Sequence, residues 1–233
     1  MESDPKIFLN EARKSVKDGD FDLALEKYEY FFDHALDNDP ASYYGVRLSY
    51  CLDEWAELGS KYPKARERLE WKRDESLRLL FSERLAEHFH DFISICDYLK
   101  CPHRPTEEFI KIHESDVDLA EEIVRFIWDS LVRDEHWEIC SFYMKDPKEK
   151  YSEFLMKFDQ AMNICKSDES LGGERFENQI KDWCITDITN MLLVLKHSGQ
   201  SKIFQEITDL AKVDLASRSY SEIYNDIARN VAL

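Results

Sequence analysis

The chain has 233 residues, enough for one repeat array or two lobes, and 43% of them are hydrophobic against 34% charged. Only six glycines and six prolines leave little room for disorder or for the many turns of an all-β fold. A formal charge of −17 argues against nucleic acid and against an anionic membrane surface, and favours a basic partner if charge steers one.

The first predicted helix runs from Pro5, capped by Asp4, to Asp18, with Phe8, Ala12 and Val16 inward. Gly19 suits a left-handed helix end and Asp20 can cap the next start. From there Phe21, Ala24, Leu25, Tyr28, Phe31, Phe32, Ala35 and Leu36 recur at steps of three and four. That stripe is too wide for a helix with one neighbour. Asp39-Pro40 repeats the start signal for a third helix, ended by Gly59. A fourth begins near Pro63 with Ala65, Leu69 and Leu80 buried, and a fifth is capped by Ser82 and carries Leu85, Phe89, Phe92, Ile93, Cys96 and Leu99.

Prolines 102 and 105 then break the pattern, which reads as a lobe at 1–100, a linker at 101–105 and a second lobe at 106–233, or else as a bend within one continuous array. A short helix from Thr106 leads to one with Ala120, Ile123, Val124, Ile127, Trp128 and Leu131 in strict spacing. Pro147 opens another, with Tyr151, Phe154, Leu155, Phe158, Met162 and Cys165 inward. The polar loop 167–173 precedes a long helix marked by Phe176, Ile180, Trp183, Cys184, Met191 and Leu195 and ended near Gly199. Residues Ile203 to Ala211 form its partner, and an amphipathic helix from Tyr220 to Val231 caps the stack. No segment alternates as a strand would.

The run Gly19-Asp20-Phe21-Asp22-Leu23-Ala24 followed by Tyr28, with Phe8 and Ala12 on the preceding helix, resembles the middle of a tetratricopeptide repeat. Leu52, Gly59, Tyr62, Ala65 and Leu69 give a looser second match, so the resemblance covers about the first 80 residues. Phe31, where a small residue is usual, and a late Pro40 depart from it. The whole chain is similar to uncharacterised bacterial tetratricopeptide-like proteins. The resemblance implies an all-α fold of antiparallel helical hairpins stacked as a superhelix of about 11–12 helices, degenerate after Cys101. It also implies a concave groove lined by the first helix of each hairpin. Its positions here are Lys6, Asn10, Arg13 and Lys17, then Arg47, Tyr50 and Glu54. Lys6, Arg13 and Arg47 are the cations that could draw a carboxylate there.

Reactive chemistry is thin. No phosphate-cradling glycine loop, HExxH, EF-hand loop or GxSxG is present. Cys96, Cys101 and His103 come nearest to a zinc site but lack a fourth ligand, so a helix end before a proline turn is the reading. His136 and Cys140 have the i, i+4 spacing of a base and a thiol, and packing is the simpler account. The six cysteines are scattered and read as reduced thiols. Lys61, Lys64, Arg66, Arg68, Lys72, Arg73 and Arg78 make a basic cluster, open to intrachain pairing or to docking an acidic partner.

No apolar run approaches the roughly 20 residues that cross a bilayer. The segment MESDPKIFLNEARK lacks the basic and apolar regions of a secretory signal, so a cytoplasmic protein is expected. The expected function is a scaffold or adaptor that binds a protein or peptide, with no catalysis, cofactor or metal. The alternative is an acidic inhibitor or immunity-type protein that covers a basic enzyme.

Overall fold

A computed structural model of the chain describes residues 4–37, 39–167 and 173–232. Every regular element among them is helical, and none is a strand. The elements are α1 (Pro5–Asp18), α2 (Phe21–His34), α3 (Pro40–Val46), α4 (Leu52–Lys61), α5 (Pro63–Glu83), α6 (Ala86–Tyr98) and α7 (Arg104–Ser115). They continue with α8 (Val117–Arg133), α9 (Trp137–Met144), α10 (Pro147–Ser167), α11 (Gly173–His197), α12 (Ser201–Ser217) and α13 (Ser221–Val231). A π-helical turn, Arg47–Cys51, joins α3 to α4 without a break.

Local chemistry sets the first boundaries. Asp4, Asp20 and Asp39 each accept a hydrogen bond from a backbone N–H of the turn they open, at Lys6, Leu23 and Ser42. Pro5 and Pro40 stand in first turns, where a missing N–H costs nothing. Gly19 ends α1 at φ 79°, a conformation that strains any residue with a Cβ.

Gly59 plays a different part from the expected helix stop. It lies inside α4, which runs on to Lys61, and it is buried. A Cβ there would come within 3.2 Å of the Arg66 backbone, so the glycine lets α4 and α5 approach closely. Ser82 likewise lies within α5 and does not cap α6. Its hydroxyl donates to the Leu79 carbonyl, Arg84 closes the helix in the left-handed region, and Leu85 is 51% exposed rather than inward.

The chain divides into two compact units, residues 1–127 and 128–233, with the division inside α8. The prolines of 101–105 therefore fall within the first unit, where Pro105 occupies the first turn of α7. In this unit α1 packs on α2, α2 on α4, α4 on α5 and α5 on α6. The core is aromatic: Trp55, Phe31 and Phe32 are buried, Phe32 meets Trp55 edge-on at 6.2 Å, and the Trp55 indole N–H donates to the Ala65 carbonyl. Ala12 and Ala24, both fully buried, let α1 and α2 close on each other.

In the second unit α11 is the central rod, with α9, α10, α12 and α13 packed against it. Where α10 packs on α11, Tyr151, Leu155, Phe158 and Met162 of α10 and Ile180, Cys184 and Ile188 of α11 are buried at helical spacing. Trp183, expected inward, is 52% exposed. It sits one residue before the buried Cys184, and one step along a helix turns a side chain by about 100°. The central residues of the polar loop at 167–173, positions 168–172, lie outside the described residues.

Two glycine substitutions separate the two uses of that residue. Gly59→Leu drives atoms into the Arg66 backbone and is expected to cost about 1–3 kcal/mol by overpacking. Gly19→Ala meets no neighbour within 4 Å, so its expected cost, about 1–2 kcal/mol, is conformational alone. Urea unfolding of both variants measures this, and a Gly59→Leu protein as stable as the parent would refute the close approach.

Candidate functional site

The predicted groove residues come from two helices, and one side-chain cluster ties the helices together. Arg13 on α1 donates from Nε and Nη2 to the carboxylate of Glu54 on α4, at 3.0 and 2.7 Å. The Tyr28 hydroxyl of α2 donates to the same carboxylate at 3.2 Å, and Asn10 Oδ1 accepts from Arg13 at 3.3 Å. Three helices thus converge on Glu54. The paired carboxylate holds the Arg13 guanidinium protonated, and burial pushes the Tyr28 hydroxyl up, with the Glu54 charge adding to the effect. The pair is partly exposed, so its strength is nearer to a surface bridge of about 1 kcal/mol than to a buried one.

Lys6 and Lys17, on the same helix as Arg13, are exposed, and Tyr50, in the π turn four residues before Glu54, is 63% exposed. The side chains of these three make no hydrogen bond or ion pair among the described residues. Asn10, Arg13 and Glu54 are therefore brought together, while Lys6, Lys17 and Tyr50 remain open to solvent. Tyr28 is the member that sequence reasoning placed only in the core, since its spacing reports the ring and not the hydroxyl.

Arg47 is a correction. It is 5% exposed and points inward, where both terminal nitrogens donate to the Asp91 carboxylate of α6, Nη1 at 3.1 Å. Its guanidinium carbon lies 4.4 Å from the Phe32 ring centroid. The physical reason is the π turn that begins at Arg47. A π turn holds more residues than an α turn, so the face read at 3.6-residue spacing does not pass through it unchanged. Next to the pair, Tyr44 Oη and His90 Nδ1 are 2.8 Å apart, and His90 stacks on Phe126 at 4.6 Å. Burial holds His90 below the ordinary imidazole range, against an upward pull from Asp91. Arg47 Nε is buried with no hydrogen-bond partner.

The basic cluster resolves into intrachain pairing. Lys64, Arg68 and Lys72, one turn apart on α5, reach Asp22, Glu29 and Asp33 of α2 at 2.6, 2.5 and 2.6 Å. Lys61, Arg66, Arg73 and Arg78 pair with Glu57, Glu70, Asp74 and Glu75. All seven cations have a carboxylate, so none stands ready for an acidic partner.

The candidate reactive pairs also have local explanations. Cys140 is fully buried and burial pushes its thiol up to about 12, the opposite of what a nucleophile needs. Its link to His136 is the helical backbone hydrogen bond. The Cys101 thiol donates to the Cys96 carbonyl at 3.4 Å, and burial pushes the Cys96 thiol up. Among the described residues no three His, Cys, Asp or Glu side chains converge as metal ligands, and no helix is long and apolar enough to cross a membrane.

No protein-family model matches this chain, no curated protein matches its sequence, and no solved structure matches its fold.

The buried pair has a testable energetic signature. Arg47→Met alone strands a buried carboxylate and Asp91→Leu alone strands a guanidinium, so each should cost about 3–5 kcal/mol. The double variant removes both charges and should regain most of that loss. Additive losses in urea unfolding would show that the two side chains are not coupled.

Proposed function

We propose that this chain is a helical-repeat scaffold, tetratricopeptide-like in its N-terminal part, that binds another protein or peptide in the cytoplasm and performs no catalysis. The observation that carries this reading is the face made by α1 and α4. There the Arg13–Glu54 contact joins two helices, and the exposed side chains of Lys6, Lys17 and Tyr50 on the same elements form no hydrogen bond or ion pair among the described residues. The cations of α5, by contrast, are all paired with carboxylates of the chain itself. An exposed tyrosine beside cations offers a partner apolar area, a hydroxyl and charge at small entropic cost.

The hairpin chemistry supports the repeat reading. Gly19 and Asp20 make the turn, small Ala12 and Ala24 make the helix contact, and the wide stripe of α2 is covered on two sides, by α1 and by α4. The groove as read from sequence contained Arg47; the face proposed here omits it, since Asp91 holds it in the core.

The test uses tagged full-length chain retrieved from its own cells, wild type against Lys6→Glu/Lys17→Glu/Tyr50→Ala. All three side chains are exposed, so circular dichroism and thermal unfolding should match the parent. Chains recovered in stoichiometric amounts with the wild type are expected to fall at least about tenfold with the variant, a change of about 1.4 kcal/mol. Equal recovery would remove this face from the function.

A further inference from the structure

A cavity of about 510 Å³ lies in the second unit, between α10 and α11 with Asp129 at its edge. Its walls are aromatic: Phe154 and Phe158 come from α10 and Trp183 from α11. Trp183 is half exposed and lies edge-on to Phe176, with ring centroids 6.3 Å apart. Two carboxylates, Asp129 and Asp187, one ammonium, Lys157, and the Thr186 hydroxyl make up its polar lining. Asp129 accepts a hydrogen bond from Asn190 at 2.8 Å. Asp187 is half-buried and has neither a hydrogen bond nor an ion pair among the described residues.

Elsewhere in the chain the partly buried acids Glu29, Glu54 and Asp91 each have a cation in contact. Asp187 does not, although it is set among rings that cannot solvate it. We infer that this cavity binds the guanidinium of an arginine side chain in a basic peptide segment, paired with Asp129 and Asp187 and stacked on Trp183. A flat, weakly hydrated guanidinium can stack on an indole and fork onto carboxylates at once, which an ammonium cannot. The acidity of the chain draws basic segments toward it. The cavity is built from residues 129–187 alone, so the inference does not rest on the α1–α4 face.

The charges facing Asp187 fix the pH behaviour. Burial raises its carboxyl to about 6, Asp129 of α8 adds repulsion, and Lys157 and Lys150 of α10 pull the other way. Cys184 on the same helix is pushed up to about 12, chiefly by burial, and stays neutral. Binding therefore weakens as pH falls through about 6. The same shift sets the sign for stability. A carboxyl raised on folding binds its proton more tightly in the folded chain, so stability falls as pH rises from about 4 to 6 and stays lower above that. Asp187→Asn lacks this loss, so at pH 7.5 it should melt about 2–5 °C above the parent, and the gap should close near pH 4.

The test follows the Trp183 indole N–H by nuclear magnetic resonance on the full chain, assigned with Trp183→Phe. The probes are blocked Gly-Ser-Arg-Ser-Gly, its citrulline and lysine analogues, and spermidine. Saturable shifts with the arginine peptide are expected at pH 7.5. The neutral citrulline analogue and the Asp187→Asn variant should each bind at least about tenfold more weakly, and the lysine analogue should be intermediate. Equal binding of arginine and citrulline peptides, or unchanged binding by a folded Asp187→Asn variant, overturns the proposal. Spermidine binding without peptide binding also overturns it, in favour of a small-amine site.

Discussion

One buried ion pair links separate elements of the first unit. Arg47 enters the core from the π turn, lies against Phe32 of α2 and meets Asp91 of α6. Three helical elements far apart in sequence therefore share a single charged contact. A guanidinium taken out of water costs several kcal/mol, and both of its terminal nitrogens must find oxygen to repay that. In the same π turn Cys51 is buried and Tyr50 exposed, and in α4 Trp55 is buried beside the partly exposed Glu54, so the core pair and the polar face share one continuous helical segment.

On α5 the cations are balanced within the chain. The acidic face of α2 is met turn by turn by α5, through three bridges at one-turn spacing on the cationic helix. Each exposed bridge contributes little, about 0–1 kcal/mol, but together they set the register between the two helices. Against that background the side chains without partners are informative. Asp187, half-buried in an aromatic cavity without a hydrogen bond or ion pair among the described residues, is such a group, and Tyr50 is a large ring left 63% exposed.

The helices were legible because their signals are local. Asp4, Asp20 and Asp39 cap as their spacing implies, and Ala24, Leu25, Tyr28, Phe31 and Phe32 are buried as a 3.6-residue period requires. What failed depended on distant partners. Gly59 looks like a stop signal until α5 is seen crossing it at contact distance. Ser82 looks like a cap, but its hydroxyl finds a carbonyl of its own helix first. Arg47 looks like a groove cation because spacing rules assume an unbroken α-helix, and nothing local announces a π turn. Asp187 was one carboxylate among many, since a carboxyl without partners is recognised only by what surrounds it in space.

Hydrogen exchange tests the linking role of the Arg47–Asp91 contact most directly. The amides of Arg47–Cys51, of Leu52–Lys61 and of Ala86–Tyr98 should exchange slowly in the wild type. In Asp91→Asn, which keeps the side-chain shape and removes the charge, all three segments should lose protection together, while α10 and α11 keep theirs. Loss confined to Ala86–Tyr98, with the π turn and α4 still protected, would contradict the account.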